Sequence, residues 1–434
     1  MAKFLISGGR PLNGEIQVQG SKNAATKMMV ASLLTDEECV LENFPEIGDA
    51  EITAELCRSI GSEIDIKDNK ARLKTKEIKN HLAVSLTRRN RIPILALGPL
   101  LARKGNAEVP VLGGDKIGPR PVDLHFQALR ALGANIEILE DRYRASAPNG
   151  LKGARISFRY PSVGATENAV LAAVLAKGRT LIQNAATEPE VIELIKMLQK
   201  MGAIIGLGAN RMIFIDGVER LKGVVHRVLP DRNEAVSFAC LIVGAGGKAK
   251  IKNAIQEHLI TFLNALRRIG GEYQVEKDGI VFLRDRSRPL KAIELETDTH
   301  PGFMTDWQQP FVVLLTQSDG VSVIHETIYE DRFGYVEDLN LMGANIKVFS
   351  KCLGELPCRF NGQGFNHSAV ISGSTILNGN NLKVRDLRSG IAHIIAALIA
   401  KGESVIEGVE EIDRGYEKID ERLKMLGAEI KRIN

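Results

Sequence analysis

Aromatic residues make up only 5% of this 434-residue chain, with a single tryptophan, and the net charge is a modest +4. No block of Lys and Arg and no aromatic ladder is present, which argues against a nucleic-acid partner. Cysteine is also scarce. Cys39, Cys57, Cys240, Cys352 and Cys358 are odd in number and contain no CxxC pair. That pattern argues against a disulfide framework and against a zinc site, and suits reduced thiols in a cytosol. Long apolar runs are missing too. The longest, at residues 92–102, contains two prolines and a glycine and is too short to span a bilayer. The opening MAKFLISGGR lacks the apolar centre of a signal peptide. A cytoplasmic protein with no membrane association, no metal and no cofactor is therefore expected.

What the chain does have is a repeat. Six times a Leu-rich, helix-like stretch runs into a glycine, a small residue and a short alternating strand: CRSIGSEIDI, LRALGANIEI, LQKMGAIIGL, LRRIGGEYQV, LNLMGANIKV and LKMLGAEIKR. The glycines are Gly61, Gly133, Gly202, Gly270, Gly343 and Gly427, separated by 72, 69, 68, 73 and 84 residues, so the unit is about 70 residues long. Each unit carries a second half as well: a strand, a short polar loop, and an apolar helix that ends in Gly before another strand. LKGARISFRYPSVGATENAVLAAVLAKGRTLIQN and LKGVVHRVLPDRNEAVSFACLIVGAGGKAKIKN show it plainly. Apolar residues crowd nearly the whole circumference of these helices, which suits helices buried inside a domain with strands outside. The sixth unit ends at the C-terminus and takes its opening strands from residues 3–20, so the two chain ends should share a domain. At this length two domains of about three units each are expected.

The loops between strand and helix hold an unusual set of residues. They read Ser21-Lys22-Asn23, Arg88-Arg89-Asn90-Arg91, Ser162-Val163-Gly164-Ala165-Thr166, Asp231-Arg232-Asn233-Glu234, Thr305-Asp306-Trp307-Gln308 and Arg385-Asp386-Leu387-Arg388-Ser389. Helix N-termini offer unpaired N–H groups and a dipole that favour anions, and added Lys and Arg make phosphate or carboxylate the expected cargo. Helix capping alone would account for the Ser, Asp and Thr. It never requires Lys22, Arg91 or Arg388.

GSKNAA, GGDKIGPRPVDLH, SVGAT, ATEPE, PDRNEA, HPGFMTDWQ, ETIYEDRF, DLRSG and IDRGYE occur in that order over the whole chain. In these motifs the chain resembles the UDP-N-acetylglucosamine 1-carboxyvinyltransferase family of the EPSP synthase-like superfamily. The resemblance implies the enolpyruvyl transferase fold, a two-domain inside-out α/β barrel of six repeats. One domain would span 22–229 on the nucleotide-sugar side, with a lid at 112–120. The other, discontinuous, would comprise 1–21 and 230–434, with the active site in the cleft between them. The implied reaction moves the enolpyruvyl group of phosphoenolpyruvate to the 3′-hydroxyl of UDP-N-acetylglucosamine and releases phosphate, the first committed step of peptidoglycan synthesis. A monomer is expected.

The resemblance also assigns residues. Lys22, Arg120, Arg332, Arg388 and Arg414 would supply the cations that let a phosphate and a carboxylate be desolvated together. Asn23 would orient substrate and intermediate. Arg91, the stretch Pro121, Val122, Asp123 and Leu124, the stretch Ser162, Val163 and Gly164, and Ile328 would contact the nucleotide sugar. Asp306 would take the proton from the sugar hydroxyl, unless it serves only as a helix cap. Two departures stand out. Tyr160 occupies a position where the family often has a basic residue, which puts the uracil or diphosphate contacts there in doubt. Asp115 stands where many members have cysteine. A carboxyl could donate the proton to the methylene carbon as general acid, although Lys116 and Arg120 oppose the raised pKa this requires. Without the thiol the enzyme should be insensitive to fosfomycin. The related shikimate 3-phosphate enzyme lacks the GGDKIGPRPVDLH stretch. The alternative from a different class is a catalytically silent nucleotide-sugar-binding paralogue, against which the full set of cations argues.

Overall fold

All six repeat glycines lie just past the end of a helix and take positive φ, between 82° at Gly427 and 127° at Gly61. Six residues of polypeptide are closed by the same hydrogen bond each time. The N–H of the residue after the glycine donates to the carbonyl five residues back, as in Ser62 to Cys57, Ala134 to Leu129, Ala203 to Leu198, Gly271 to Leu266, Ala344 to Leu339 and Ala428 to Leu423, at 2.9–3.2 Å. This is the Schellman closure, which needs a left-handed residue at its centre and a small one after it. The shared sequence signature is thus a helix stop repeated six times.

The computed structural model describes residues 2–80, 90–113, 121–355 and 358–433. Contacts divide the described chain into two units, one of residues 2–19 with 230–433 and one of 20–113 with 121–229. Each unit has its own buried apolar cluster.

In the discontinuous unit three sheets are found among the described residues. The first runs Asn381–Lys383, Glu403–Glu407, Lys3–Ser7, Glu429–Ile433. Lys3 pairs with Glu407 on one side and with Ile433 on the other, both antiparallel, so the N-terminal strand sits in the middle of a sheet otherwise made by the C-terminus. The second runs Glu272–Glu276, Gly279–Arg284, Gly247–Lys252, Leu12–Gln17, with Leu12–Gln17 parallel to its neighbour. The third is built on Ser318–His325, antiparallel to Ser368–Gly373, which in turn pairs with Ile346–Phe349. Inside lie the helices Arg232–Ala245, Gln308–Leu315 and Leu387–Ile399, which pack on one another. Every residue of Arg232–Ala245 and of Gln308–Leu315 is buried. A helix enclosed by sheets has no solvent face, which is why its sequence carries no polar stripe.

The other unit repeats the plan. Its sheets run Ile204–Gly208, Met212–Asp216, Arg179–Gln183, Arg155–Ser157; Val224–Arg227, Cys39–Glu42, Lys70–Lys74, Glu63–Lys67; and Asn106–Pro110, Arg142–Ser146, Asn135–Ile138. The helices Leu97–Lys104 and Val163–Ala173 pack together inside, and the short turn Ile92–Ala96 packs on Lys22–Ala31. The fold class is α/β as expected, with strands outside and helices inside in both units.

The chain changes unit at Gln19/Gly20 and again at Leu229/Pro230. Both changes fall at the same point of the repeat, the loop between strand and inner helix. Leu12–Gln17 stays parallel to Gly247–Lys252, while the helix it leads into, Lys22–Ala31, belongs to the other unit. Val224–Arg227 likewise stays parallel to Cys39–Glu42 before the chain enters Arg232–Ala245. The two outgoing strands are exchanged between otherwise equivalent repeats.

Candidate functional site

In the discontinuous unit the cationic loops converge on one carboxylate. Asp306, in the short turn Thr305–Trp307, receives Arg332 Nη2 at 2.5 Å on Oδ1 and Arg388 Nη2 at 3.0 Å on Oδ2. Both guanidiniums are almost fully buried, 5% and 7% exposed, so these are desolvated charges and the pairing is what makes them tolerable. Burial opposes the Arg388 charge, yet Asp306 and the nearby Tyr416 and Asp231 carry its pKa above the ordinary arginine value. For Arg332 burial is likewise outweighed, by Asp306 and Glu326.

The surrounding contacts fix these groups. Arg388 Nη1 donates to the Tyr416 hydroxyl at 3.2 Å, which lies 3.0 Å from Ser237 Oγ. Burial pushes the Tyr416 phenol up to about 12 against the pull of Arg388, keeping it a neutral hydroxyl. Arg388 is placed by a capping box: Asp386 accepts from the N–H groups of Arg388 and Ser389 at 2.9 and 3.1 Å, and Ser389 Oγ accepts from Asp386 N at 3.2 Å. Gln309, in the amide orientation that satisfies its neighbours, accepts from Arg332 Nε at 2.6 Å. Buried Glu326 accepts from Thr305 Oγ1 at 2.9 Å and from the N–H groups of Ile328 and Tyr329 at 2.8 and 3.1 Å, tying the turn that carries Asp306 to the loop that carries Arg332. Burial raises the Glu326 carboxyl, and Arg332 works against that. Arg232 lies over the Trp307 ring at 5.5 Å, and Trp307 Nε1 donates to Asn233 Oδ1 at 3.0 Å.

Arg414 takes another partner, Glu411 Oε2 at 2.6 Å. Arg422 grips both oxygens of Glu234 at 2.6 and 2.7 Å and donates to Gln17 O at 2.6 Å. One guanidinium thereby joins the helix Ile419–Lys424, the helix Arg232–Ala245 and the N-terminal segment.

In the other unit Lys22, first residue of the helix Lys22–Ala31, pairs with Asp49 Oδ2 at 2.8 Å, where Asp49 lies in the first turn of the helix Gly48–Ile60. Asn23 follows it on the first turn. Arg91 precedes the turn Ile92–Ala96. Val122 caps the helix Asp123–Ala131, with Pro121 before it, Leu124 buried in its first turn and Asp123 paired with Arg159 at 2.8 Å. Ser162 Oγ accepts from Ala165 N at 3.4 Å and opens the helix Val163–Ala173. Gly164 lies so close to His125 that a Cβ would come 3.1 Å from its ring. That imidazole is buried, 3.2 Å from Asn168 Nδ2, and burial together with Arg91 lowers its pKa to about 3. Tyr160 lies under the Arg159 guanidinium at 5.7 Å, so a cation does border the position where the family pattern is broken. Asp115, Arg120 and most of the 112–120 stretch lie outside the described residues.

Among the sequence candidates, then, Asp306, Arg332 and Arg388 meet directly, and Lys22 meets a partner the sequence reading did not single out. That partner, Asp49, was missed, and so were Glu326 and Tyr416. Tyr416 sits within IDRGYE and Glu326 opens ETIYEDRF, so a signal was present for both, whereas nothing in IGDAEI marks Asp49. No helix among the described residues is long and apolar enough to cross a membrane.

The chain is similar to known proteins along nearly its whole length. A family model described as EPSP synthase (3-phosphoshikimate 1-carboxyvinyltransferase) matches residues 6–423. The UDP-N-acetylglucosamine 1-carboxyvinyltransferase of Protochlamydia amoebophila is 50% identical over 434 residues, covering 98% of this chain and 93% of that protein. The one from Chlamydia abortus is 48% identical, covering 99% and 98%. Among solved structures, the enolpyruvyl transferase NikO from Streptomyces tendae superposes with a TM-score of 0.86 at 21% identity, covering 100% of this chain and 99% of that one, a likeness of fold.

Proposed function

We propose, from the premise that the chain belongs to the EPSP synthase family and, within it, to the UDP-N-acetylglucosamine 1-carboxyvinyltransferases, that it transfers the enolpyruvyl group of phosphoenolpyruvate to the 3′-hydroxyl of UDP-N-acetylglucosamine, with release of phosphate, as the first committed step of peptidoglycan synthesis. The observation that carries this reading is Asp306 held between Arg332 and Arg388. An aspartate with both oxygens engaged is a poor base. An incoming phosphate or carboxylate competes for the same two guanidiniums, in the two-point geometry they favour. Arrival of phosphoenolpyruvate therefore releases an Asp306 oxygen to accept the proton of the sugar hydroxyl, so that the base is armed only when the second substrate is present. Lys22, Arg120 and Arg414 complete the anion site, and Asn23 orients the intermediate. Arg91, Pro121, Val122, Asp123, Leu124, Ser162, Val163, Gly164 and Ile328 serve the nucleotide sugar.

Asp115 acts as the general acid toward the methylene carbon. A carboxylate is a much weaker nucleophile toward an epoxide than a thiolate, so fosfomycin does not inactivate the enzyme. Phosphate release on mixing both substrates tests the reaction. Mass spectrometry after fosfomycin treatment should find the unmodified chain, with Asp115→Cys gaining the adduct and losing activity. Asp115→Asn should bind the nucleotide sugar but lose nearly all turnover. Near-normal phosphate release by Asp115→Asn would move the acid role to another residue.

A further inference from the structure

Two of the five cysteines do not stand alone. Cys352 Sγ and Cys358 Sγ lie 3.7 Å apart, and Cys352 Sγ lies 3.3 Å from His367 Nε2. With one ring nitrogen of His325 they form a group whose four donor atoms all fall within 4.8 Å of one another. A tetrahedral zinc ion with Zn–S of about 2.3 Å and Zn–N of about 2.0–2.1 Å implies edges of roughly 3.8 Å between sulfurs and roughly 3.6 Å between sulfur and nitrogen. The Cys352–Cys358 spacing of 3.7 Å matches the sulfur edge, the Cys352–His367 spacing of 3.3 Å is close to the mixed edge, and the 4.8 Å limit on the whole group leaves a small inward movement of the remaining donors for the ion to complete.

The hydrogen bonds around the histidines point the same way. Both rings are fully buried. His367 Nδ1 lies 2.7 Å from the Phe365 carbonyl, which can only accept, so Nδ1 carries the proton and Nε2 keeps its lone pair facing Cys352. His325 Nδ1 lies 3.0 Å from Glu296 Oε2, again an acceptor. His325 Nε2, the nitrogen left with a lone pair, has no hydrogen-bond partner among the described residues, although it is buried. A carbonyl or carboxylate behind each imidazole is the arrangement that orients histidine ligands of metals. Gly354 makes room for it: a Cβ there would lie 2.2 Å from His325 Nδ1. Phe360 N donates to Cys358 Sγ at 3.4 Å, fixing the position of that sulfur.

We propose that Cys352, Cys358, His325 and His367 bind a structural zinc ion. Two thiols and two neutral imidazoles take up one Zn²⁺, releasing two protons to solvent and leaving a neutral centre. All four positions are filled by protein, so the ion does no chemistry on substrate. Its place in the fold gives it a task. His325 ends the strand Ser318–His325, His367 precedes its partner strand Ser368–Gly373, and the cysteines lie on the connection between Ile346–Phe349 and Ser368–Gly373. Glu326, next to His325, donates its N–H to His367 O at 2.7 Å and holds Thr305 and the loop leading to Arg332. The ion thus pins the loop behind the Asp306 cluster.

The full-length chain, purified without added metal or chelator, should contain one zinc per molecule by mass spectrometric elemental analysis. Replacing that zinc with Co²⁺ should produce the ligand-field bands of tetrahedral cobalt together with thiolate-to-cobalt charge transfer. The double variant Cys352→Ser, Cys358→Ser should lose both the metal and these bands, and chelator should lower the unfolding temperature of the wild type but not of the variant. Substoichiometric zinc together with no cobalt spectrum in the wild type would overturn the proposal. So would full metal retention by the double variant, or a native Cys352–Cys358 disulfide found by intact mass and peptide mapping. None of these readouts depends on transferase activity.

Discussion

Single residues do distinct work here. Arg388 is buried against Asp306 and Tyr416, and the proposed reaction assigns it to the group that binds the reacting anion. Arg388→Leu should leave UDP-N-acetylglucosamine affinity nearly unchanged in calorimetry and lower turnover by orders of magnitude, because placed charges contribute about 3–4 kcal/mol in transition states. Equal loss of nucleotide-sugar binding would put the residue in the wrong half of the site. Glu167 offers a test by pH. It is buried in the helix Val163–Ala173 with neither oxygen hydrogen-bonded among the described residues, and burial raises its carboxyl from 4.5 to about 7. The native chain therefore keeps a proton that the unfolded chain sheds near pH 4.5. The stability this lends is complete below that pH and is lost as pH rises through about 7. Glu167→Gln should flatten the decline, stabilising the protein at pH 8 by up to about 3 kcal/mol in denaturant titrations.

At the scale of elements, the helix stops divide into two kinds. At Gly427 a Cβ would meet no atom within 4 Å, so Gly427→Ala should cost only the backbone strain of a left-handed alanine, about 1–2 kcal/mol. At Gly61 the same Cβ would lie 2.8 Å from the Glu77 carbonyl. Gly61→Ala should cost clearly more, and thermal unfolding of the two variants side by side checks the order. The capping box of Leu387–Ile399 adds a second element-scale effect, since it sets where Arg388 begins its helix. Asp386→Ala should remove about 1 kcal/mol of stability and depress turnover beyond what that loss explains, read by comparing the unfolding midpoint with phosphate release.

For the whole molecule the decisive feature is that the N-terminal strand is interior to a C-terminal sheet. Lys3–Ser7 is paired on both edges, and Phe4 and Ile6 are completely buried. Removing residues 1–8 should destabilise the discontinuous unit by several kcal/mol, since each lost side chain of this size is worth about 2–5 kcal/mol. Hydrogen exchange should then show lost protection in Leu387–Ile399 and Glu429–Ile433, with protection kept in Val163–Ala173 of the other unit. Uniform loss across both units would mean that their cores do not stand separately.

The sequence by itself determined whatever depends on neighbours along the chain. The six helix stops were legible because a Schellman turn is set by a few consecutive residues. The inward position of Arg232–Ala245 and Leu387–Ile399 was legible because a helix without a polar stripe has nowhere else to go. The cationic loops were legible because a helix N-terminus is a local feature. Tertiary structure decided which groups from distant repeats meet. Arg332 and Arg388 are 26 and 82 residues from the aspartate they share. Lys22 and Asp49 stand on separate helices, and the exchanged strands Leu12–Gln17 and Val224–Arg227 look in sequence like any other repeat strand. The cysteine and histidine cluster makes the point most sharply. Cys352 and Cys358 are spaced by six, and the two histidines beside them stand at the end of one strand and just before its antiparallel partner, so the sheet register that sets His325 opposite Ser368 brings the four donors together.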